Sequence, residues 1–159
     1  MMITMKHFSI RELSRSDTAS RKGINNTPNS AIVSALTALI DNVLDPLREK
    51  WGAPIIVSSG YRCPALNRAV GGASGSQHTK GEAADIRTVS DSREDNMKLL
   101  KCLLNSGIVF DQVIAENVDS EGRPDWIHVS FTRARQNRKK RTTMKKIAGR
   151  TTYINGIKI

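Results

Sequence analysis

Aromatic residues make up only 4% of this 159-residue chain, and cysteine occurs just twice, at Cys63 and Cys102. Two cysteines give no disulfide framework, and their separation fits neither a zinc knuckle nor a CxxC redox pair. A single bridge between them stays open at this level. Long hydrophobic runs are missing too, since no stretch approaches the roughly 18–20 apolar residues of a membrane span. The opening MMITMKHFSIREL lacks the charged, apolar, small-residue succession of a secretory signal. A soluble protein made in the cytoplasm without a signal peptide is therefore expected.

Acidic residues are scarce as well, 15 against 25 Lys and Arg, for a formal net charge of +10. Nine of the basic residues fall between Arg133 and Arg150, where there is no Asp or Glu. Such a patch suits nucleic acid or anionic cell wall, and equally a merely solvated basic face. The few aromatics, and the lack of a base-stacking interleave in RKKRTTMKK, argue against nucleic acid. With 38% hydrophobic residues the chain can bury a core of its own. The expectation is one domain over 1–159, monomeric, with a basic C-terminal segment at 133–159.

Periodicity outlines the elements. Ser9 followed by Glu12 caps a short helix at Ile10–Ser14, after which an irregular loop runs to Pro28. From Asn29 to about Lys50, Ile32, Val33, Leu36, Leu39, Ile40, Val43, Leu44 and Leu47 recur at helical spacing, with Pro46 expected to kink or restart the helix. Pro54–Ser58 reads as a buried strand, and Tyr61–Gly81 as a long loop shaped by glycines. Strands are expected at Ala83–Val89, Gln112–Ala115 and Trp126–Phe131, a helix at Arg93–Ser106, and a last hairpin around Asn155–Gly156. Mixed elements without a βαβ repeat imply an α+β fold with a small, mainly antiparallel sheet packed against helices.

Only three histidines are present. His78 lies in GSQHTKGEAADIR, where Gly75 and Gly81 allow a tight bend that can return Asp85 towards the imidazole. An aspartate on the strand of Ala83 and Arg87, among small and apolar neighbours, needs a cation or hydrogen-bond donors. His128 sits in PDWIHVSF, on the face opposite Ile127, Val129 and Phe131. Two histidines and a carboxylate form a recognised zinc set with a fourth position left for water. Each histidine alone has the simpler reading of a hydrogen-bonded structural residue, and His7 reads as a surface or capping residue.

The segments SGYRCPALNRAVGGASGSQHTKGEAADI and DWIHVSF closely resemble the zinc peptidases that include D-alanyl-D-alanine carboxypeptidases, vancomycin-resistance dipeptidases and phage L-alanyl-D-glutamate endopeptidases. The motif SxHxxGxAxD runs through Ser76, His78, Gly81, Ala83 and Asp85. The similarity spans about Phe8 to Phe131. It implies a hedgehog/DD-peptidase-like fold, a Zn2+ cofactor held by His78, Asp85 and His128, and hydrolysis of peptidoglycan stem peptides.

By the same resemblance Asp125, three residues before His128, is the general base, Arg62 binds and polarises the substrate carbonyl or carboxylate, and Ser76 supports the site. Asp125 and His128 differ by an odd number of positions, so a regular strand would turn them to opposite faces. Glu116 is the rival base and Glu82 a weaker one. Arg62 could instead be a structural ion-pair partner, and Trp126 either walls the pocket or belongs to the core. A phage or prophage lysis enzyme is expected, acting on the wall after phage-mediated release, with the basic segment in electrostatic contact with anionic wall polymer. The competing function is a non-catalytic zinc-binding relative serving as a wall-binding or structural phage protein.

Overall fold

A computed structural model describes residues 5–159 of the chain. Six helices and six strands follow in the order α1 (Ile10–Ser14), α2 (Asp17–Lys22), α3 (Ser30–Leu39), α4 (Asp45–Trp51), β1 (Ile55–Ser59), α5 (Pro64–Ala69), β2 (Ala83–Thr88), α6 (Arg93–Leu104), β3 (Gln112–Glu116), β4 (Trp126–Ser130), β5 (Lys140–Ile147) and β6 (Arg150–Asn155). The strands form one sheet, β1-β2-β4-β3-β5-β6. Its pairings are antiparallel except for β3 with β5, which run parallel. This is the α+β architecture the mixed pattern implied.

The two-residue period of the strands gives the sheet two different faces. Ala84, Ile86, Val113, Ala115, Ile127 and Val129 are completely buried on one face, in a core shared with Leu36, Leu39, Leu44, Leu99 and Leu103 of the helical layer. The alternate positions, among them Asp85, Ile114, Glu116, Trp126 and His128, line a cleft on the other face. A one-residue slip in any of these strands would exchange the two sets.

From Ser30 to Trp51 the helix is continuous and, by length and composition, apolar enough to cross a membrane. That differs from the expectation that no stretch qualifies, because the charges at Asp41, Asp45 and Arg48 are spread along it. Its apolar stripe lies in the core: Leu36, Leu39, Ile40, Val43, Leu44 and Leu47 have no exposed surface. Each such side chain gains roughly 1.5–3 kcal/mol over exposure. Pro46 cannot donate to the carbonyl one turn back, and the segment Ile40–Leu44 just before α4 is wound as a π-helix that absorbs the mismatch.

Three stretches differ from the sequence pattern. Helix α2 lies inside the expected irregular loop, with Ser16 as N-cap and Gly23 at its left-handed C-cap. Helix α5 and a 3-10 turn at Gln77–Lys80 lie inside the expected Tyr61–Gly81 loop. All three are too short to show a hydrophobic period. The C-terminal hairpin turns at Ala148–Gly149, with Ile147 opposite Arg150, while Asn155 ends β6 and Gly156 follows it. Both turn residues have positive φ, 51° and 78°. This is the arrangement a two-residue hairpin needs, although alanine tolerates it less well than asparagine. Cys63 and Cys102 are both free thiols.

Candidate metal centre

His78 is presented by local backbone chemistry. Ser76 caps the 3-10 turn, its Oγ accepting from the His78 N–H at 3.2 Å. Gly81 closes the turn at φ +70°, and a Cβ there would lie 2.9 Å from Ile32 Cγ2 of α3. Glycine is thus needed for both handedness and close approach. The Arg62 N–H donates to the His78 carbonyl at 3.1 Å, tying the two segments together. His78 Nδ1 lies 2.7 Å from the Gly60 carbonyl oxygen. A carbonyl only accepts, so Nδ1 carries the proton and the Nε2 lone pair is free to act as a ligand.

Sheet register supplies the other two donors. Asp85 and His128 are direct partners across β2 and β4. His128 Nδ1 is 3.2 Å and His78 Nε2 is 3.3 Å from the same oxygen, Asp85 Oδ1. The imidazole centroids are 5.1 Å apart with planes at 68°, so the rings do not stack. One donor atom from each of the three residues lies within 4.8 Å of the others. Donors about 2.0–2.2 Å from one tetrahedral zinc ion are separated by about 3.3–3.6 Å, so this spacing and donor set fit a single ion. The side chains are 3%, 15% and 12% exposed for His78, Asp85 and His128, walled in yet reachable from the cleft. Burial alone would raise the Asp85 carboxyl pKa. With the two imidazoles protonated, their charges and hydrogen bonds outweigh it and hold the group well below the usual carboxylate range.

Glu116 lies in the same cleft, on the β3 face that Gln112 and Ile114 share. Burial, then the negative charge of Asp85, pushes its pKa up to about 7, with His128 partly offsetting them. Its Oε1 makes no hydrogen bond of full geometry, nor does Nε1 of Trp126, but the two residues are opposite each other on β3 and β4 and the indole N–H acts as a donor that lowers the Glu116 pKa. Unpaired buried polar atoms cost about 1–3 kcal/mol each, and native proteins keep few of them. The Glu116 and Trp126 side chains both line the cleft.

Asp125 is placed differently. Its carboxylate is 45% exposed, receives a hydrogen bond from Asn117 Nδ2 at 3.3 Å and lies 3.9 Å from Arg93. It does not line the cleft. Strand parity is the reason: β4 starts at Trp126, so the residue before it points away from the His128 face. Glu82 lines the cleft but is engaged, accepting from Thr132 Oγ1 at 2.8 Å and Gln77 Nε2 at 3.3 Å.

Arg62 reaches the cleft with Nε donating to Asn67 Oδ1 at 3.1 Å and Nη1 to Ser59 Oγ at 3.4 Å. Among the described residues it forms no ion pair. Burial lowers its pKa, opposed by Asp85. Ser76 lines the cleft too, with its hydroxyl serving as the cap described above. His7 is remote from all of these, 2.9 Å from Glu49.

Two features of the cleft were not singled out by sequence reasoning. Strands β5 and β6 form its far wall through Lys140, Thr142, Met144, Thr151 and Tyr153, and the loop before them adds Arg135 and Arg138. The parallel β3–β5 pairing that brings them there leaves no short-range signal. Together these elements enclose a cleft of about 900 Å³.

No curated protein matches the chain. A family model described as Peptidase M15 matches residues 6–130, which takes in the His78 turn, both ligand-bearing strands and Glu116. The match covers most of the chain, and its residues converge on a site able to bind metal, so the chain belongs to the peptidase M15 family.

Proposed function

We propose that the protein is a zinc-dependent peptidase that hydrolyses peptide bonds in bacterial peptidoglycan stem peptides, as a D-alanyl-D-alanine carboxypeptidase or an L-alanyl-D-glutamate endopeptidase. The observation that carries this reading is the convergence of His78 Nε2, Asp85 Oδ1 and His128 Nδ1 beside the Glu116 carboxylate in one peptide-sized cleft. Those three atoms would hold the ion. When bound, zinc supplies Lewis acidity at the scissile carbonyl and lowers the pKa of water.

The chain's own groups supply the rest. Glu116 Oε1 takes a proton from the attacking water and returns it to the amide nitrogen as the C–N bond breaks, a task suited to a carboxyl held near neutrality. Arg62, steadied by Asn67 and Ser59, donates to the substrate carbonyl and to the negative charge that develops on it. His78 Nδ1 keeps its proton on the Gly60 carbonyl, which fixes the ring. Asp125 takes no part in proton transfer here and serves the entry to β4, where its carbonyl accepts from Asn96 Nδ2 at 2.9 Å.

We place the activity at the cell wall, as that of a phage or prophage lysis enzyme, with the basic segment 133–159 in contact with anionic wall polymer. Glu116, in the cleft beside the metal donors with its pKa raised to about 7, favours this reading over a non-catalytic relative. The test is incubation of zinc-loaded protein with purified peptidoglycan, followed by mass analysis of the fragments. Loss of terminal D-alanine and cleavage between L-alanine and D-glutamate give different masses. Unchanged stem-peptide masses with a fully zinc-loaded protein would refute the proposal.

A further inference from the structure

Asp111, just before β3, has no exposed surface. A lone carboxylate buried there would cost several kcal/mol or lose its charge. Five hydrogen bonds prevent this. Arg135 donates from Nη1 and Nη2 at 2.7 and 3.1 Å, and Arg138 from its backbone N–H, Nε and Nη2 at 3.1, 3.1 and 2.9 Å. Burial would raise the Asp111 carboxyl pKa, and these bonds hold it well below the usual range instead, so it stays ionised. Two guanidiniums thus share one negative charge, and one positive charge is left over.

The surplus faces the substrate cleft. Arg135 and Arg138 line it together with the metal donors, and Lys140 stands beside them. Their side chains are 48% and 47% exposed although each is clamped to a buried anion. Glu82 is a further acid nearby; the Arg135 pKa is raised first by the hydrogen bond to Asp111 and least by Glu82. Its oxygens are already bonded to Thr132 and Gln77, and the three cations outnumber Asp111 and Glu82. Fastening the loop does not require two arginines, because Asn137 and Thr132 already bond across it at 2.9 and 3.1 Å.

We propose that Arg135 and Arg138, pre-oriented by Asp111, form a carboxylate-binding subsite that selects acidic peptides. Guanidiniums match carboxylates in shape; with Arg135 Nη1 and Nη2 and Arg138 Nε and Nη2 given to Asp111, Arg135 Nε and Arg138 Nη1 are left to donate, and a guanidinium already held in place loses little freedom on binding. Apart from Asp111, the subsite lies beyond residue 130, where the family match ends. It rests on the peptidase reading only in taking the cleft to bind peptides.

The experiment measures binding of fluorescent pentapeptides to zinc-loaded Glu116→Gln protein by anisotropy. The peptides carry glutamate or glutamine at one position, each with a free or an amidated C-terminus. The expected result is about tenfold tighter binding of the carboxylate form, reduced to near parity in an Arg135→Gln background. Arg135→Lys keeps the charge on Asp111 but loses the guanidinium, and should lower the preference with the melting temperature retained. Dependence on the glutamate assigns a side-chain carboxylate, and dependence on amidation assigns a chain terminus. A preference that persists unchanged in folded Arg135→Gln and Arg135→Lys proteins overturns the subsite. Cleavage of neutral and acidic peptides at equal efficiency also sinks the subsite but leaves the peptidase standing, whereas carboxylate preference with no cleavage by the wild-type protein does the reverse.

Discussion

Replacing Glu116 with glutamine keeps the side chain's volume and removes its ability to take a proton. General-base transfer is worth 10²–10⁴-fold, so kcat should fall by about a hundredfold or more with KM little changed. Zinc content should hold, because Glu116 is not one of the three converging donors. A second effect follows from the raised pKa. A carboxyl held at about 7 rather than 4.5 corresponds to about 3 kcal/mol at 1.36 kcal/mol per pH unit. Solvent in the open cleft screens this to about 2 kcal/mol.

The sign follows from linkage. A folded-state pKa above the unfolded value gives stability that is complete below pH 4.5 and is lost as pH rises through 7. Metal-free wild-type protein should therefore weaken across that window, and the glutamine variant should not. At pH 8 the chelated variant should melt about 4–8 °C higher than chelated wild type, with the gap closing near pH 4. The assays are fragment release from peptidoglycan and thermal melts of chelated protein at both pH values. Retention of kcat within about tenfold of wild type would refute Glu116 as the base. A comparable loss in Asp125→Asn, expected to stay within about threefold, would move the role there.

Alanine at His78 or His128 should abolish both zinc retention, read by elemental analysis, and activity; wild-type zinc content in either variant contradicts the ligand assignment. Removing zinc with a chelator should stop hydrolysis and adding it back should restore it, and activity that survives complete removal rules out the metal's role. Asp111 has a depressed folded pKa, so its stabilisation is complete above pH 3.8 and is lost as pH falls towards the folded value. The urea midpoint of Asp111→Asn should accordingly lie well below wild type at pH 7 and the gap should narrow as pH falls below 3.8, and a gap independent of pH counts against this account. Gly81→Ala combines a left-handed backbone with contact against Ile32. A loss of about 1–3 kcal/mol, or roughly 2–12 °C in Tm, is expected, and an unchanged melt would show that the turn can rearrange.

Much of the core was legible because its signals are short-range. The helical stripe from Ile32 to Leu47 and the alternation in Ala83–Val89 and Trp126–Phe131 each follow from period alone, and the observed elements agree within a residue or two at most ends. Helices α2 and α5 were not legible, since six residues show no period and α5 has no capping side chain either. The hairpin turn was misplaced because Asn155–Gly156 has stronger turn chemistry than Ala148–Gly149, and the pairing of β5 with β6 decided otherwise.

The sequence alone marked His78, Asp85 and His128 as one possible donor set, because histidine is rare in the chain and each lies in a segment whose local backbone preferences are plain. The sheet decided where Asp125 and Glu116 point relative to the donors. Which way a carboxylate points depends on where β4 begins and on which strands flank it, and those pairings join residues far apart in the chain. The same holds for Asp111 and its arginines, more than twenty positions apart. A charge run in sequence shows how many cations there are, and only tertiary packing decides which of them are held still and what they face.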